Sequence, residues 1–324
     1  MQRTQTHSDT GDMAHTIDPA TALGIVSLTV SNLARSVAFY TDAIGFALLQ
    51  REDTTATLGV AGHPLLLLTE RAGAQPWPRE QRSYTGLYHF AILLPARADL
   101  GRWVRHWLTL GLPLGQGDHL VSEALYLSDP DENGIEVYWD RPRNQWRWQD
   151  GHVQMGTGPV DIEGLLTEAE RDGAAWHGLP DGTRIGHIHL QIGDIAQGAV
   201  FYHDILGFTI VAGMPTALFV SAGGYHHHIG MNTWHSLGAT AAPKEMVGLR
   251  FFTVMLPTED ARRAVVARIA AAGIAYTQTD DMIGVQDPWG NIVLLHVGAL
   301  PDAHAASALA AFAATLPVAH RTLA

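Results

Sequence analysis

The side chains of this chain best suited to hold a metal ion are histidine and glutamate. Eighteen histidines and no cysteine occur among its 324 residues, so a metal site here would be built from imidazoles and carboxylates, not thiolates. Three histidines stand in a row in GYHHHIG: His226, His227 and His228. His187 and His189 share one face of the alternating run HIHLQI, and His89 lies in GLYHFAILLP. Glu136 sits in NGIEVYW, between Ile135 and Val137. An acid in such an apolar strand is costly to bury alone and points to a cation beside it.

These residues need elements to carry them, and an internal duplication supplies the plan. GIVSLTVSNLARSVAFYTDAIGFALL (24–49) matches GHIHLQIGDIAQGAVFYHDILGFTIV (186–211) at a constant shift of 162, Phe39-Tyr40 falling on Phe201-Tyr202. GLYHFAILLP (86–95) matches GLRFFTVMLP (248–257) at the same shift. Each half contains two units. Each unit opens on an apolar alternating strand, continues in an amphipathic helix stopped by glycine, and closes in short strands that turn at loops such as DPDENG and DPWGN. Four βαβββ units in an α+β fold are therefore expected. The boundaries read as a tail at 1–22 and a first pair at 23–143, with units at 23–70 and 85–141. A linker follows at 144–183, then a second pair at 184–298, with units at 184–233 and 247–298. Residues 299–324 read as a terminal helical tail.

Composition sets outer limits. Apolar residues make up 47% and charged residues 16%, which suits a packed core. A formal net charge of −12 without a Lys/Arg cluster argues against a nucleic-acid partner. No apolar run reaches the roughly 20 residues of a membrane helix, and MQRTQTHSDTGDMAH lacks the apolar core of a secretory signal. With cysteine absent, a cytoplasmic address is the expectation. A homo-oligomer is compatible with all of this.

Four βαβββ units resemble the vicinal oxygen chelate superfamily, which includes glyoxalases and type I extradiol dioxygenases. The phrases GLYHFAILLP, SEALYLSDPDENGIEVYWDRP, GHIHL and SAGGYHHHIG resemble catechol-2,3-dioxygenases of the CatE type. The resemblance implies units paired into two open barrels, with metal ligands projecting from the first and last strand of each unit. Carried onto this chain, the first-strand positions are Ile25, His89, His187 and Phe251 in units 1 to 4. The last-strand position of unit 2 is Glu136, that of unit 3 is Gly230, and unit 4 has apolar residues 292–294 there. The implied metal ligands are His89, Glu136 and His187, a set that suits Fe(II), with Mn(II) compatible. They come together only if units 2 and 3 pair, within one chain or across a dimer. The order here, His…Glu before the lone His, departs from the extradiol pattern.

The same resemblance gives His227 the acid–base role, Tyr126 an orienting role ten residues before Glu136, and His119 a site role, although His119 lies about two residues from the family position. The strand period puts His227 on one face and His226 and His228 on the other, so it leaves open which of the three faces the site. His189 reads as a wall residue. The implied activity is extradiol cleavage of catechol or a substituted catechol by O₂. Two rivals stay open: a glyoxalase-like metal-dependent isomerase or lyase, and a non-catalytic small-molecule binder of the same fold. Glycine at 230, where an isomerase needs a second carboxylate, weighs against the first.

Overall fold

A computed structural model describes residues 16–75, 77, 84–280, 282–300 and 302–316. Most of the expected N-terminal tail lies outside the described residues. Each of the four units is βαβββ. In unit 2 the order is strand Gly86–Leu93, helix Arg97–Leu110, then strands Gly115–Asp118, Ser122–Ser128 and Gly134–Asp140. In unit 3 it is strand Arg184–Gln191, helix Ile195–Ala199 continuing as Val200–Ile205, then strands Thr209–Met214, Ala217–Ser221 and Ile229–Asn232. Units 1 and 4 open with strands Ala22–Val30 and Gly248–Leu256.

Two eight-stranded curled sheets result, each drawing one unit from each half of the chain. In every unit the last strand returns parallel to the first. The first strands of units 2 and 3 then pair antiparallel, as do those of units 1 and 4. The four central strands of each sheet are thus first and last strands, whose inward residues are the candidate ligand positions.

The repeated FY and DP motifs tie the sheets together. Tyr40 from the unit 1 helix donates to Asp129 in the unit 2 loop at 2.9 Å, and Tyr202 of unit 3 donates to Asp287 of unit 4 at 3.0 Å. Burial pushes both carboxyls up to about 6, against the hydrogen bonds they accept from Asn133 and Asn291.

The two sheets use their inner faces differently. In the sheet of units 1 and 4, strand pairing places Phe251, Leu294, Ile25 and Leu67 at the positions held in the other sheet by His89, Glu136, His187 and Gly230. These four apolar residues form one cluster with Leu300, Ala306, Leu309 and Phe312. The C-terminal helix Ala303–Ala313, capped by Asp302, thus fills the space where a second site would be. Among the described residues no helix is long and apolar enough to cross a membrane.

Candidate active site

The inner face of the sheet of units 2 and 3 stays open, as a cavity of about 1130 Å³. Its floor follows from register. His189 lies opposite His89 across the central antiparallel pair, and Glu136 lies beside Ala91 on the next strand. Alternation along the strands brings His89, His187, His189 and Glu136 onto one face.

The metal-capable donor atoms of His89, Glu136 and His187 all lie within 4.8 Å of one another. His187 Nε2 donates to Glu136 Oε2 at 3.1 Å, and His89 Nε2 stands 3.1 Å from the same oxygen. That second approach is off the hydrogen-bonding angle, so His89 Nε2 is buried without a hydrogen bond. His187 Nδ1 is buried and unpaired as well. Unpaired buried nitrogens around a buried carboxylate are unfavourable in a finished core. They suit a site that a cation completes. Protonation agrees: burial lowers the His89 pKa, leaving its lone pair free at neutral pH. Burial alone would raise the Glu136 carboxyl, but the neighbouring imidazoles, His187 foremost, hold it well below its usual range. Neutral imidazole and ionised carboxylate are the forms that bind metal.

Among the described residues no second carboxylate joins them as a fourth ligand. Gly230 pairs with His189, and a Cβ on Gly230 would come within 3.0 Å of the His189 ring. The ring occupies that space, and Asn232 Nδ2 donates to His189 Nε2 at 3.0 Å. His189 is therefore fixed as a wall residue. Burial drives its pKa well below 6.5.

Around this floor the structure gathers the remaining candidates. Tyr126 is the cross-strand partner of Glu136, which explains the ten-residue spacing. His119 sits in the turn between strands Gly115–Asp118 and Ser122–Ser128. Its Nδ1–H donates to the Gly156 carbonyl at 2.8 Å, so its Nε2 accepts from the Tyr126 hydroxyl at 2.6 Å. Both residues line the cavity.

The histidine run is not part of a strand, which begins only at Ile229. Strand alternation therefore does not govern it, and all three rings are buried. His227 lines the cavity, its ring centred 4.2 Å from that of His187 and 5.1 Å from Phe219. Burial, then the charges of neighbouring histidines, lowers its pKa well below 6.5. His228 turns away and accepts from the Ala222 N–H at 3.1 Å. His226 bonds His227 and Asp140. Asp140 had a signal: it follows Glu136 and Tyr138 at period two on one strand face. The Gly156 carbonyl had none, being backbone of the segment between the halves.

Comparison with known proteins places this architecture. The family described as Glyoxalase/Bleomycin resistance protein/Dioxygenase superfamily matches residues 22–137 and 184–295. The chain belongs to this superfamily. Within it, the chain is 48% identical over 273 residues to the catechol-2,3-dioxygenase of Bacillus subtilis (strain 168), covering 83% of this chain and 94% of that one. Two solved structures share the superfamily fold at lower identity. A candidate dioxygenase from Bacillus subtilis subsp. subtilis str. 168 superposes with a TM-score of 0.57 at 14% identity, covering 93% of this chain and 98% of that one. Glyoxalase I from Zea mays gives 0.52 at 15% identity, covering 92% and 98%.

Proposed function

We propose that this protein is an extradiol dioxygenase that cleaves catechol, or a neutral substituted catechol, at the bond next to the diol and inserts both atoms of O₂. The observation that carries the reading is the convergence of His89, Glu136 and His187, with an unpaired Nε2 on His89, at the floor of an open cavity. Two imidazoles and a carboxylate without a fourth protein ligand form the set that suits Fe(II) and leaves positions for substrate. The similarity to the Bacillus subtilis catechol-2,3-dioxygenase supports the same assignment.

When bound, Fe(II) would supply a Lewis acid that lowers the pKa of a catechol hydroxyl and an electron relay to dioxygen. The chain's own groups do the rest. His227, held neutral at the cavity wall, takes the proton of the hydroxyl and returns one later. The Tyr126 hydroxyl, aimed by His119, orients a ring oxygen beside Glu136. The rings of Phe219 and Trp234 and the side chain of Met214 form an apolar wall for the aromatic ring. The described lining includes the acidic residues Asp129, Glu132 and Glu136 and neither Lys nor Arg, so it offers no cationic partner to a charged ring substituent, which favours an uncharged diol.

His227→Phe tests the assignment of roles. Iron content should stay at the wild-type level, while kcat falls on the order of 10²–10⁴-fold. An unchanged kcat would remove His227 from the mechanism.

A further inference from the structure

His226 is wholly buried, does not line the cavity, and is bonded at both ring nitrogens. Its Nε2 lies 2.8 Å from Asp140 Oδ1, and its Nδ1 lies 2.8 Å from Nδ1 of His227. A carboxylate only accepts, so the Nε2 proton of His226 is committed to Asp140. A ring carrying that single proton has one role left for its other nitrogen. Nδ1 of His226 must accept, and the donor is the Nδ1–H of His227. A neutral His227 with its proton on Nδ1 carries a bare lone pair on Nε2, the nitrogen across the ring from His226.

We propose that Asp140 and His226 are positioning residues that fix the tautomer of His227, so that its unprotonated Nε2 faces the cavity as the proton acceptor. The inference rests on the reading of His227 as the acid–base residue. It adds a cause for that role, two residues outside the cavity, and a function for the first histidine of the run. Packing holds the chain in place. The His226 ring lies against Tyr225 at 4.2 Å and against Trp146 at 5.2 Å, while Tyr138, between Glu136 and Asp140 on their strand, donates to or accepts from Tyr225 at 2.7 Å. Gly186 leaves room for that Tyr138 hydroxyl, which a Cβ there would meet at 1.8 Å.

The test reads tautomers directly. In the metal-free full-length protein labelled with ¹⁵N-histidine, long-range ¹H–¹⁵N correlation should show His227 protonated on Nδ1, its signals identified by their loss in His227→Phe. His226→Phe keeps the ring and removes the acceptor. His226→Asn places an amide oxygen near the lost Nδ1 and restores it. His226→Phe should move the His227 proton largely to Nε2 and lower kcat of the iron-loaded enzyme roughly tenfold or more, part of what a whole acid–base group contributes. KM and iron content should stay close to wild type. His226→Asn should recover both the tautomer and most of kcat. A wild-type His227 protonated on Nε2 would overturn the proposal. So would a His226→Phe variant with unchanged tautomer and kcat. If His227→Phe keeps full kcat, the acid–base reading itself has failed. If it loses kcat while His226→Phe does not, only the positioning role has.

Discussion

Glu136→Gln separates a metal site from a buried polar cluster, because the two make opposite demands on stability. Gln is the isostere of Glu, and its Oε1 can still accept from His187 Nε2. It gives up a charged hydrogen bond but no longer buries an ion in a residue that is 2% exposed. These effects oppose one another, so metal-free stability should change by no more than about 1 kcal/mol. For a chain of 324 residues the unfolding entropy is about 0.7 kcal/mol/K, from roughly 2.1 cal/mol/K per residue. The metal-free Tm should therefore stay within about 1.5 °C of wild type.

Metal reverses the comparison. At a metal concentration of about 100 times Kd, wild type should gain about 2.7 kcal/mol, or about 4 °C. Loss of even an outer partner of a metal ligand weakens binding about 10–100-fold, and loss of the carboxylate ligand should do at least that. At the same metal concentration the variant's gain then shrinks to about 1.4 kcal/mol, or about 2 °C, for a tenfold loss, and to about 0.4 kcal/mol, or about 0.6 °C, for a 100-fold loss. Anaerobic differential scanning calorimetry with and without Fe(II), repeated with Mn(II), reads both quantities. A variant that keeps the full metal-induced rise would refute the ligand role of Glu136. A metal-free variant that loses many degrees would show Glu136 to be chiefly structural.

Three further outcomes are expected. A catechol bearing a carboxylate should be a poorer substrate than catechol by about 1–2 kcal/mol in kcat/KM, roughly tenfold, because the described lining offers no Lys or Arg to replace the hydration that the carboxylate gives up; steady-state kinetics on the matched pair checks this. Leu309→Ala, in the helix that fills the other sheet, should cost about 2–5 kcal/mol and so lower Tm by roughly 3–7 °C, with iron content and kcat unchanged at room temperature. The His228 pKa is lowered by burial to about 3. An unfolded histidine near 6.5 binds a proton that the folded one refuses, so its contribution to stability is lost as pH falls from about 6.5 toward 3, by about 1.4 kcal/mol per pH unit. His228→Asn keeps an acceptor for the Ala222 N–H and should flatten the fall of Tm between pH 6 and pH 4 by about 2 °C per unit; identical slopes would contradict the assignment.

Much of this was legible in the sequence because duplication makes it so. A constant shift aligned Ile25 with His187 and His89 with Phe251, which showed where ligand-type residues were kept and where they were replaced by apolar ones. Strand pairing supplies the physical sense of the replacement: Ile25, Leu67, Phe251 and Leu294 face a helix, so they must be apolar, whereas His89, Glu136 and His187 face a cavity and Gly230 leaves room for the His189 ring. The histidine run could not be resolved by periodicity, because residues 226–228 are held by hydrogen bonds of their own and join no strand. That the C-terminal helix packs inside the second sheet also lay beyond local pattern. An alanine-rich amphipathic helix shows that it will pack, and tertiary geometry decides where.

The central claim is that the three-residue cluster supports oxygen-dependent ring cleavage. The full-length protein, purified and loaded with Fe(II) without oxygen, should turn over catechol only when air is admitted. It should then consume one O₂ per catechol while a yellow ring-opened semialdehyde accumulates. Iron-loaded protein that takes up no oxygen with catechol, or that consumes oxygen without opening the ring, would contradict it.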